Sequence, residues 1–133
     1  MTHLLDTTAL LAHFLDENGA EEVDQLLARG PDHVALAAPS WVEFHTRLRE
    51  LVPDAEFRDS AFHQYTAVLT TLLPLDLAAT TAAIQLREAT PGRLPLADAL
   101  IAGTAFAAGL VLVHRDPHFD PVPGLKTLRL PDK

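Results

Sequence analysis

Short apolar runs alternate with longer amphipathic stretches along the chain, and this alternation predicts the secondary structure. Apolar runs between turn residues are typical of buried strands, whereas apolar positions that recur every three or four residues are typical of helices. The predicted strands are residues 4–5, 34–37, 73–75, 110–113 and 126–130, the last of them at a sheet edge. The predicted helices are residues 7–15, 20–28, 39–52, 55–72, 77–89 and 94–108.

The order of these elements predicts the fold class. Strands that alternate with helices favour an α/β fold, with a central, mostly parallel, twisted sheet and helices on both faces. Two helix starts carry recognisable caps. Thr7 or Thr8 is expected to cap the first helix, and Ser40 with Glu43 matches a capping box at the third.

Composition narrows the class of protein. A chain of 133 residues is the usual size of one domain, so we expect residues 1–133 to form a single unit. It has no cysteine and no basic leader before Asp6, which favours a cytoplasmic protein. Asp98, Gly103 and Gly109 interrupt the longest apolar region, so no membrane span is expected. A net charge of −8 argues against a broad basic surface that binds the phosphates of a nucleic acid.

Four acidic residues lie where a parallel sheet would gather them. Asp6 and Asp116 follow predicted strands, whereas Glu43 and Asp98 lie in the first turns of predicted helices. Ligands of such sheets bind beyond the carboxyl ends of the strands. Carboxylates that meet there repel one another unless a divalent cation joins them. The sequence therefore predicts a site for Mg²⁺ or Mn²⁺ formed by these four acids.

Each acid also has a structural interpretation. Asp6 could cap the first helix or form an Asx turn, and Asp116 could be a turn residue. Glu43 could serve the capping box or pair with Arg47 one turn later. Asp98 could simply stabilise its helix by interacting with the positive end of the helix dipole. A charge inside so apolar a stretch nevertheless requires a partner or a metal.

The remaining motifs exclude several other chemistries. The seven histidines do not follow a compact zinc pattern, and no Gly-rich phosphate loop occurs. His114 and His118 flank Asp116, and whether either contributes to the site is open at this point.

Four segments together resemble the PIN-domain nucleases, over nearly the whole chain. The resemblance is carried by residues 5–10 (LDTTAL), the helix with Glu43, residues 94–102 (LPLADALIA) and residues 113–116 (VHRD) with Phe119. Length and order are similar to those of the VapC-like toxins of bacterial type II toxin–antitoxin pairs. The resemblance implies an α/β/α sandwich that acts as a Mg²⁺- or Mn²⁺-dependent endoribonuclease.

The resemblance also assigns residues and partners. Asp6, Glu43, Asp98 and Asp116 match the acidic positions of the family, and Thr8 matches a hydroxyl that supports the site. The resemblance implies that Asp6 and Asp98 hold the ion directly and that Asp116 and Glu43 complete its shell, directly or through water. RNA as substrate, a cognate antitoxin and a homodimer are implied in the same way. We further expect Arg115 or Arg47 to neutralise charge on the scissile phosphate.

Two departures from the family and two rival functions accompany this interpretation. His114 stands where the family often has Thr or Ser, and His118 stands where it often has another acid. Imidazole at these places could shift the metal preference. The rivals are an antitoxin-binding regulatory protein with little nuclease activity and a metal-dependent nuclease directed at DNA.

Overall fold

A five-stranded parallel sheet lies at the centre of the molecule. The computed structural model describes residues 1–133. The strands are β1 (His3–Leu5), β2 (Val34–Ala37), β3 (Leu72–Leu73), β4 (Val111–His114) and β5 (Thr127–Arg129). Their order across the sheet is β3-β2-β1-β4-β5, and each neighbouring pair is parallel. The prediction of a mostly parallel sheet is therefore confirmed.

Helices cover both faces of this sheet, which confirms the predicted sandwich. They are α1 (Thr7–Phe14), α2 (Ala20–Leu27), α3 (Ala38–Leu51), α4 (Ala55–Val68), α5 (Leu77–Ala89) and α6 (Leu96–Ala108). The core of one face contains residues of α5 and α6, and the core of the other contains residues of α1 to α4. Neighbouring residues of β1 take opposite sides, Leu4 facing α6 and Leu5 facing α1, as the strand period requires.

Helices α5 and α6 pack so closely that the backbone of one lies against the backbone of the other at Gly103. A Cβ atom on Gly103 would lie 2.5 Å from the carbonyl oxygen of Ala79 and 2.6 Å from the backbone nitrogen of Ala83. Those distances are far below van der Waals contact, so only glycine fits at this crossing. The close packing fixes α6, and with it the position of Asp98 in its first turn.

Two predicted helix caps were wrong. Thr7 or Thr8 does not cap α1; the alternative interpretation of Asp6 as the cap is confirmed, because its side chain accepts a hydrogen bond from the backbone N–H of Ala9. The capping box of α3 does not form either, since the helix already begins at Ala38 and the buried Ser40 hydroxyl lies inside the first turn without a hydrogen-bond partner.

The fourth predicted helix, over residues 55–72, was too long. That helix ends at Val68, and Leu72 belongs to β3. Leu72 continued the helical spacing by coincidence, because an apolar residue in a short edge strand can match the next helical position. The strand itself covers residues 72–73 in place of the predicted 73–75.

The strand order creates a crevice at the carboxyl edge of the sheet. The chain runs outward from β1 through β2 to β3, then returns to place β4 on the other side of β1. Such a change of direction opens a crevice beyond the strand ends, where ligands of α/β folds bind. None of the helices combines the length and the apolar character that a membrane crossing requires.

Candidate metal centre

An acidic pocket of about 330 Å³ opens at this carboxyl edge. All four acids predicted from the sequence line it, together with Thr8 and Arg47. These acidic residues are far apart in the sequence and come from different elements. Only the parallel arrangement of β1 and β4, with α3 and α6 starting at the same edge, brings them to one pocket.

Asp6 is the most enclosed of the four. Its side chain is 2% exposed, and its backbone N–H donates to the carbonyl of Val113 across the β1–β4 pair at 3.0 Å. The Ala9 backbone N–H donates to Oδ1 at 2.8 Å. The Thr8 hydroxyl lies 2.7 Å from Oδ1 and 2.8 Å from Oδ2. The backbone and the start of α1 therefore fix the orientation of this carboxylate.

The environment of Asp6 makes its charge costly without a cation. The pKa of this carboxyl is raised to about 7, chiefly by burial, although the bonds from Ala9 and Thr8 act in the opposite direction. The negative charges of Asp116 and Asp98 contribute to this rise. A carboxylate in such surroundings gains strongly from a bound cation, because the cation removes both penalties.

Asp98 and Asp116 of the pocket form a close group with His118, which lies beside them. One ligand atom from each lies within 4.8 Å of the others. The His118 Nδ1 lies 2.9 Å from Oδ1 of Asp116 and 3.4 Å from Oδ2 of Asp98. The pKa of Asp98 is raised to about 6, chiefly by burial and then by the charge of Asp116. His118 acts in the opposite direction, and Glu43 adds a smaller rise.

Glu43 enters the pocket from the opposite wall. It lies on α3, and its Oε1 accepts a hydrogen bond of 2.6 Å from the Thr7 hydroxyl of α1. The predicted pairing with Arg47 is not formed, since the Arg47 guanidinium contacts Glu50. Sequence analysis missed the role of Thr7, whose only signal was a hydroxyl next to Asp6 in the chain.

Thr8 connects Asp6 to the end of β4. Its hydroxyl donates to Asp6 and accepts the backbone N–H of Arg115 at 2.9 Å. The Arg115 side chain points elsewhere, because its guanidinium donates to Glu17 at 2.7 Å and to the Asn18 carbonyl at 3.3 Å. Arg115 thus contributes a backbone amide to the support of the site, and Arg47 is the arginine that lines the pocket.

The two histidines around Asp116 have different surroundings. His114 is fully buried, its ring packs against Phe119, and its Nδ1 accepts the Asp116 backbone N–H at 3.1 Å. Burial lowers its pKa, so the ring is neutral and carries its proton on Nε2, which has no hydrogen-bond partner. His118 is half-exposed and faces the acids. Of the two histidines, only His118 contacts the carboxylates of the pocket, whereas His114 lies in the core.

The donor set fits a divalent cation. Carboxylate oxygens are the ligands that Mg²⁺ and Mn²⁺ prefer, and the pocket offers them with an imidazole at one side. Hydroxyls and backbone amides behind the carboxylates orient them, as groups behind metal ligands commonly do.

A second, larger cavity lies outside this region. We call it the apolar groove; it has a volume of about 560 Å³ and lies between α1, α2 and α4. Phe57 and Val68 are exposed along it. At its wall, His13 joins three helices, since its Nδ1 lies 2.7 Å from the Tyr65 hydroxyl and its Nε2 lies 3.0 Å from Oδ1 of Asp24.

Comparisons with solved structures place this fold among known ones. A chain of VapBC2 from Rickettsia felis bound to a DNA fragment from their promoter matches with a TM-score of 0.80 at 18% identity, covering 98% of this chain and 100% of that one. A chain of FitAcB from Neisseria gonorrhoeae matches with a TM-score of 0.78 at 20% identity and 96% coverage of each. A chain of VapBC-5 from Mycobacterium tuberculosis, a toxin–antitoxin system, matches with a TM-score of 0.67 at 24% identity, covering 96% of this chain and 98% of that one.

At these identities the structural likeness establishes the fold alone. No curated protein sequence matches the chain. The family model described as "PIN domain" matches residues 3–125, which include all four acids and both helical layers of the sandwich. The chain therefore belongs to the PIN-domain family.

Proposed function

We propose that this protein is a metal-dependent endoribonuclease, the toxin of a toxin–antitoxin pair. One observation carries the proposal: four carboxylates converge at the carboxyl edge of a PIN-domain fold, in a pocket that also contains an arginine. Membership in a family of nucleases supports hydrolysis of phosphodiester bonds. The similar solved chains come from VapBC and FitAB systems, which supports the toxin–antitoxin role.

In this proposal Asp6, Asp98, Asp116 and Glu43 hold Mg²⁺ or Mn²⁺. When bound, such an ion polarises the phosphodiester and lowers the pKa of an attacking water. Thr8 and the Arg115 amide keep Asp6 oriented, and Thr7 keeps Glu43 oriented. The products expected from this proposal are a 5′-phosphate and a 3′-hydroxyl.

Substrate RNA would approach through the open side of the pocket. Arg47 lines it with a guanidinium that is about half exposed, so this side chain is available to a phosphate. Because the net charge of the protein is −8, we expect local contacts near the pocket, not a broad basic surface, to bind RNA.

The direct test uses the purified chain with single-stranded RNA and single-stranded DNA of the same sequence. We expect RNA cleavage that EDTA abolishes and that Mn²⁺ or Mg²⁺ restores, with 5′-phosphate ends on the products. Preferential cleavage of DNA would favour the DNA-directed rival. Cleavage that persists in EDTA, or no cleavage of either substrate with metal present, would overturn the nuclease proposal.

We assign the antitoxin to the apolar groove. This groove has the larger volume, and its exposed Phe57 and Val68 offer apolar contacts to a partner segment. His13, Asp24 and Tyr65 add polar contacts at its wall. The alternative function, antitoxin binding with little nuclease activity, would use the same groove and leave the acidic pocket inactive.

Three further expectations belong to the same proposal. We infer a homodimer, which light scattering on the purified chain would measure. A cytoplasmic location is inferred in the same way. Residues 1–133 are proposed to fold as one domain, so that a single cooperative unfolding transition is expected.

A further inference from the structure

The imidazole of His118 lies between two carboxylates of the acidic pocket. Its Nδ1 is 2.9 Å from Oδ1 of Asp116 and 3.4 Å from Oδ2 of Asp98. The side chain of His118 is 50% exposed, whereas those of Asp98 and Asp116 are 16% and 19% exposed. One nitrogen therefore faces the acids while the rest of the ring is open to solvent.

These separations suit coordination around one ion. Two ligands at about 2.1 Å from an octahedral ion lie about 3.0 Å apart when they occupy adjacent positions. The distances of 2.9 and 3.4 Å from Nδ1 are close to that value. The ligand atoms of the two carboxylates lie within 4.8 Å of each other, and opposite positions around such an ion are about 4.2 Å apart. Small side-chain rotations are enough to bring Nδ1 and the two carboxylate oxygens around one ion.

The local backbone holds His118 in this place. It lies in the single 3₁₀ turn Pro117–Phe119, which Asp116 caps by accepting the His118 backbone N–H at 2.9 Å. Phe119, the next residue, is buried in the core. A proline on one side and a buried phenylalanine on the other restrict the backbone, so the ring has little freedom except rotation about its own side-chain bonds.

We propose that Nδ1 of His118 is a metal ligand beside Asp98 and Asp116, and that the site therefore prefers Mn²⁺ to Mg²⁺. The inference rests on the metal site of the proposed function and specifies its ligands. Mg²⁺ selects oxygen ligands, whereas Mn²⁺ lies further toward the metals that accept imidazole.

The same geometry has a second explanation that the experiment must separate. A protonated His118 would be a counter-cation for Asp98 and Asp116 in the metal-free protein and would move aside when an ion binds. In that case no nitrogen would coordinate the ion. A measurement that detects nitrogen directly bound to the metal distinguishes the two.

Pulsed electron paramagnetic resonance of bound Mn²⁺ provides that measurement. The protein is loaded with one equivalent of Mn²⁺, and the echo modulation of a coordinated ¹⁴N is recorded for the wild type, His118→Gln and the control His63→Gln. His63 is exposed on α4 and outside the pocket. The expected result is nitrogen modulation in the wild type and in the control, and its loss in His118→Gln while Mn²⁺ stays bound.

A calorimetric comparison tests the preference. In His118→Asp the ligand set becomes all carboxylate, so the ratio of Mn²⁺ affinity to Mg²⁺ affinity should fall by about tenfold. His63→Asp adds the same charge elsewhere and should leave the ratio unchanged.

The outcomes separate this inference from the proposed function. Bound Mn²⁺ without nitrogen modulation, or modulation that survives in His118→Gln, would overturn the role of His118 and leave the carboxylate site intact. An unchanged affinity ratio in His118→Asp would overturn the preference. No Mn²⁺ binding by the folded wild type would overturn the proposed metal site itself and this inference with it.

Discussion

The acidic pocket is smaller than the apolar groove, about 330 Å³ against 560 Å³, yet it contains nearly all the features expected of a reactive site. Its carboxylates are oriented by hydroxyls and backbone amides, and two of them have raised pKa values. The groove has exposed apolar side chains and one hydrogen-bonded histidine. Volume alone therefore does not identify the reactive site, whereas convergent, oriented charged groups do.

The origin of each cavity explains the difference. The pocket is formed by strand ends and helix starts, where unpaired backbone groups are available to fix side chains. The groove lies along the sides of three helices, whose backbone groups are already paired within each helix. The first arrangement suits chemistry on a small charged group, and the second suits the docking of an apolar segment.

The largest effect is expected from Asp98→Asn. The change keeps the size of the side chain but removes a metal ligand, so RNA cleavage should fall by at least about 100-fold, equivalent to about 2.7 kcal/mol. The control is Asp59→Asn, which alters an exposed residue of α4. Gel-based cleavage rates on folded proteins measure both. Equal rates for Asp98→Asn and the wild type would contradict the assignment of the pocket, as distinct from the groove, as the reactive site.

Phe57→Glu addresses the groove. Phe57 is 60% exposed, so folding and cleavage should be unaffected, but a charge on the docking surface should weaken antitoxin binding by at least about tenfold. The probe, bound in a titration, is the cognate antitoxin that the proposed function requires.

Leu77→Glu is the matched control for the groove. It places the same charge at an exposed apolar residue of α5, on the opposite face of the sheet. If both variants bind the probe like the wild type, the assignment of the groove is wrong.

An effect of intermediate size is expected in the pH dependence of stability and of metal binding, because both depend on the carboxyl groups of the pocket. In the folded, metal-free protein the pKa of Asp6 is about 7 and that of Asp98 is about 6, against an ordinary value of 3.8. The folded state thus holds more protons than the unfolded state in this interval. The free energy of unfolding without metal should therefore decrease as pH rises from about 4 to about 7.

Metal binding should show the opposite trend, because Mn²⁺ competes with these protons. A tenfold gain in affinity between about pH 5.5 and about pH 7.5 would add about 1.4 kcal/mol of stabilisation, or about 5 °C in Tm. Thermal melts with and without Mn²⁺ measure the difference. A Tm increment from Mn²⁺ that stays constant over this range would contradict the assignment of Asp6 and Asp98 as ligands.

The smallest effects come from deleting one hydroxyl in each region. Tyr65→Phe removes the hydrogen bond with His13 and should cost about 1 kcal/mol in the free energy of unfolding. Thr8→Val removes the bonds to Asp6 and from the Arg115 amide and should cost somewhat more. Only Thr8→Val should also lower cleavage, by about tenfold or less, because the bond from Thr8 helps to keep Asp6 ionised. Denaturant titrations and cleavage rates together test the pair; equal loss of cleavage in both would show a general effect of stability.

The sheet could be predicted because its signals are local. Apolar runs marked the strands, and Gly109, which ends α6 with a positive φ of 68°, marked the boundary between helix and strand. The convergence of the acids followed from the rule that parallel strands gather their carboxyl ends at one edge. The structure brings Asp6, Glu43, Asp98 and Asp116 into one pocket, while their role as metal ligands stays a prediction.

The details that sequence analysis missed depend on distant partners. Glu43 accepts from Thr7, which is 36 residues away, and not from its local capping partner Ser40. Arg115 pairs with Glu17, which is 98 residues away, so its side chain leaves the pocket. Such choices depend on which groups the folded chain places within reach, and no local pattern encodes that.

The helix α1 is a wall common to both cavities. Its first turn, with Thr7 and Thr8, lines the acidic pocket, and its last turn, with His13 and Phe14, lines the apolar groove. Eight residues of α-helix measure about 12 Å, so the two sites are separated by little more than two helical turns. A protein segment bound at one end and an ion bound at the other would contact the same helix. Any change that one causes in the affinity for the other must be matched by an equal change in the reverse direction.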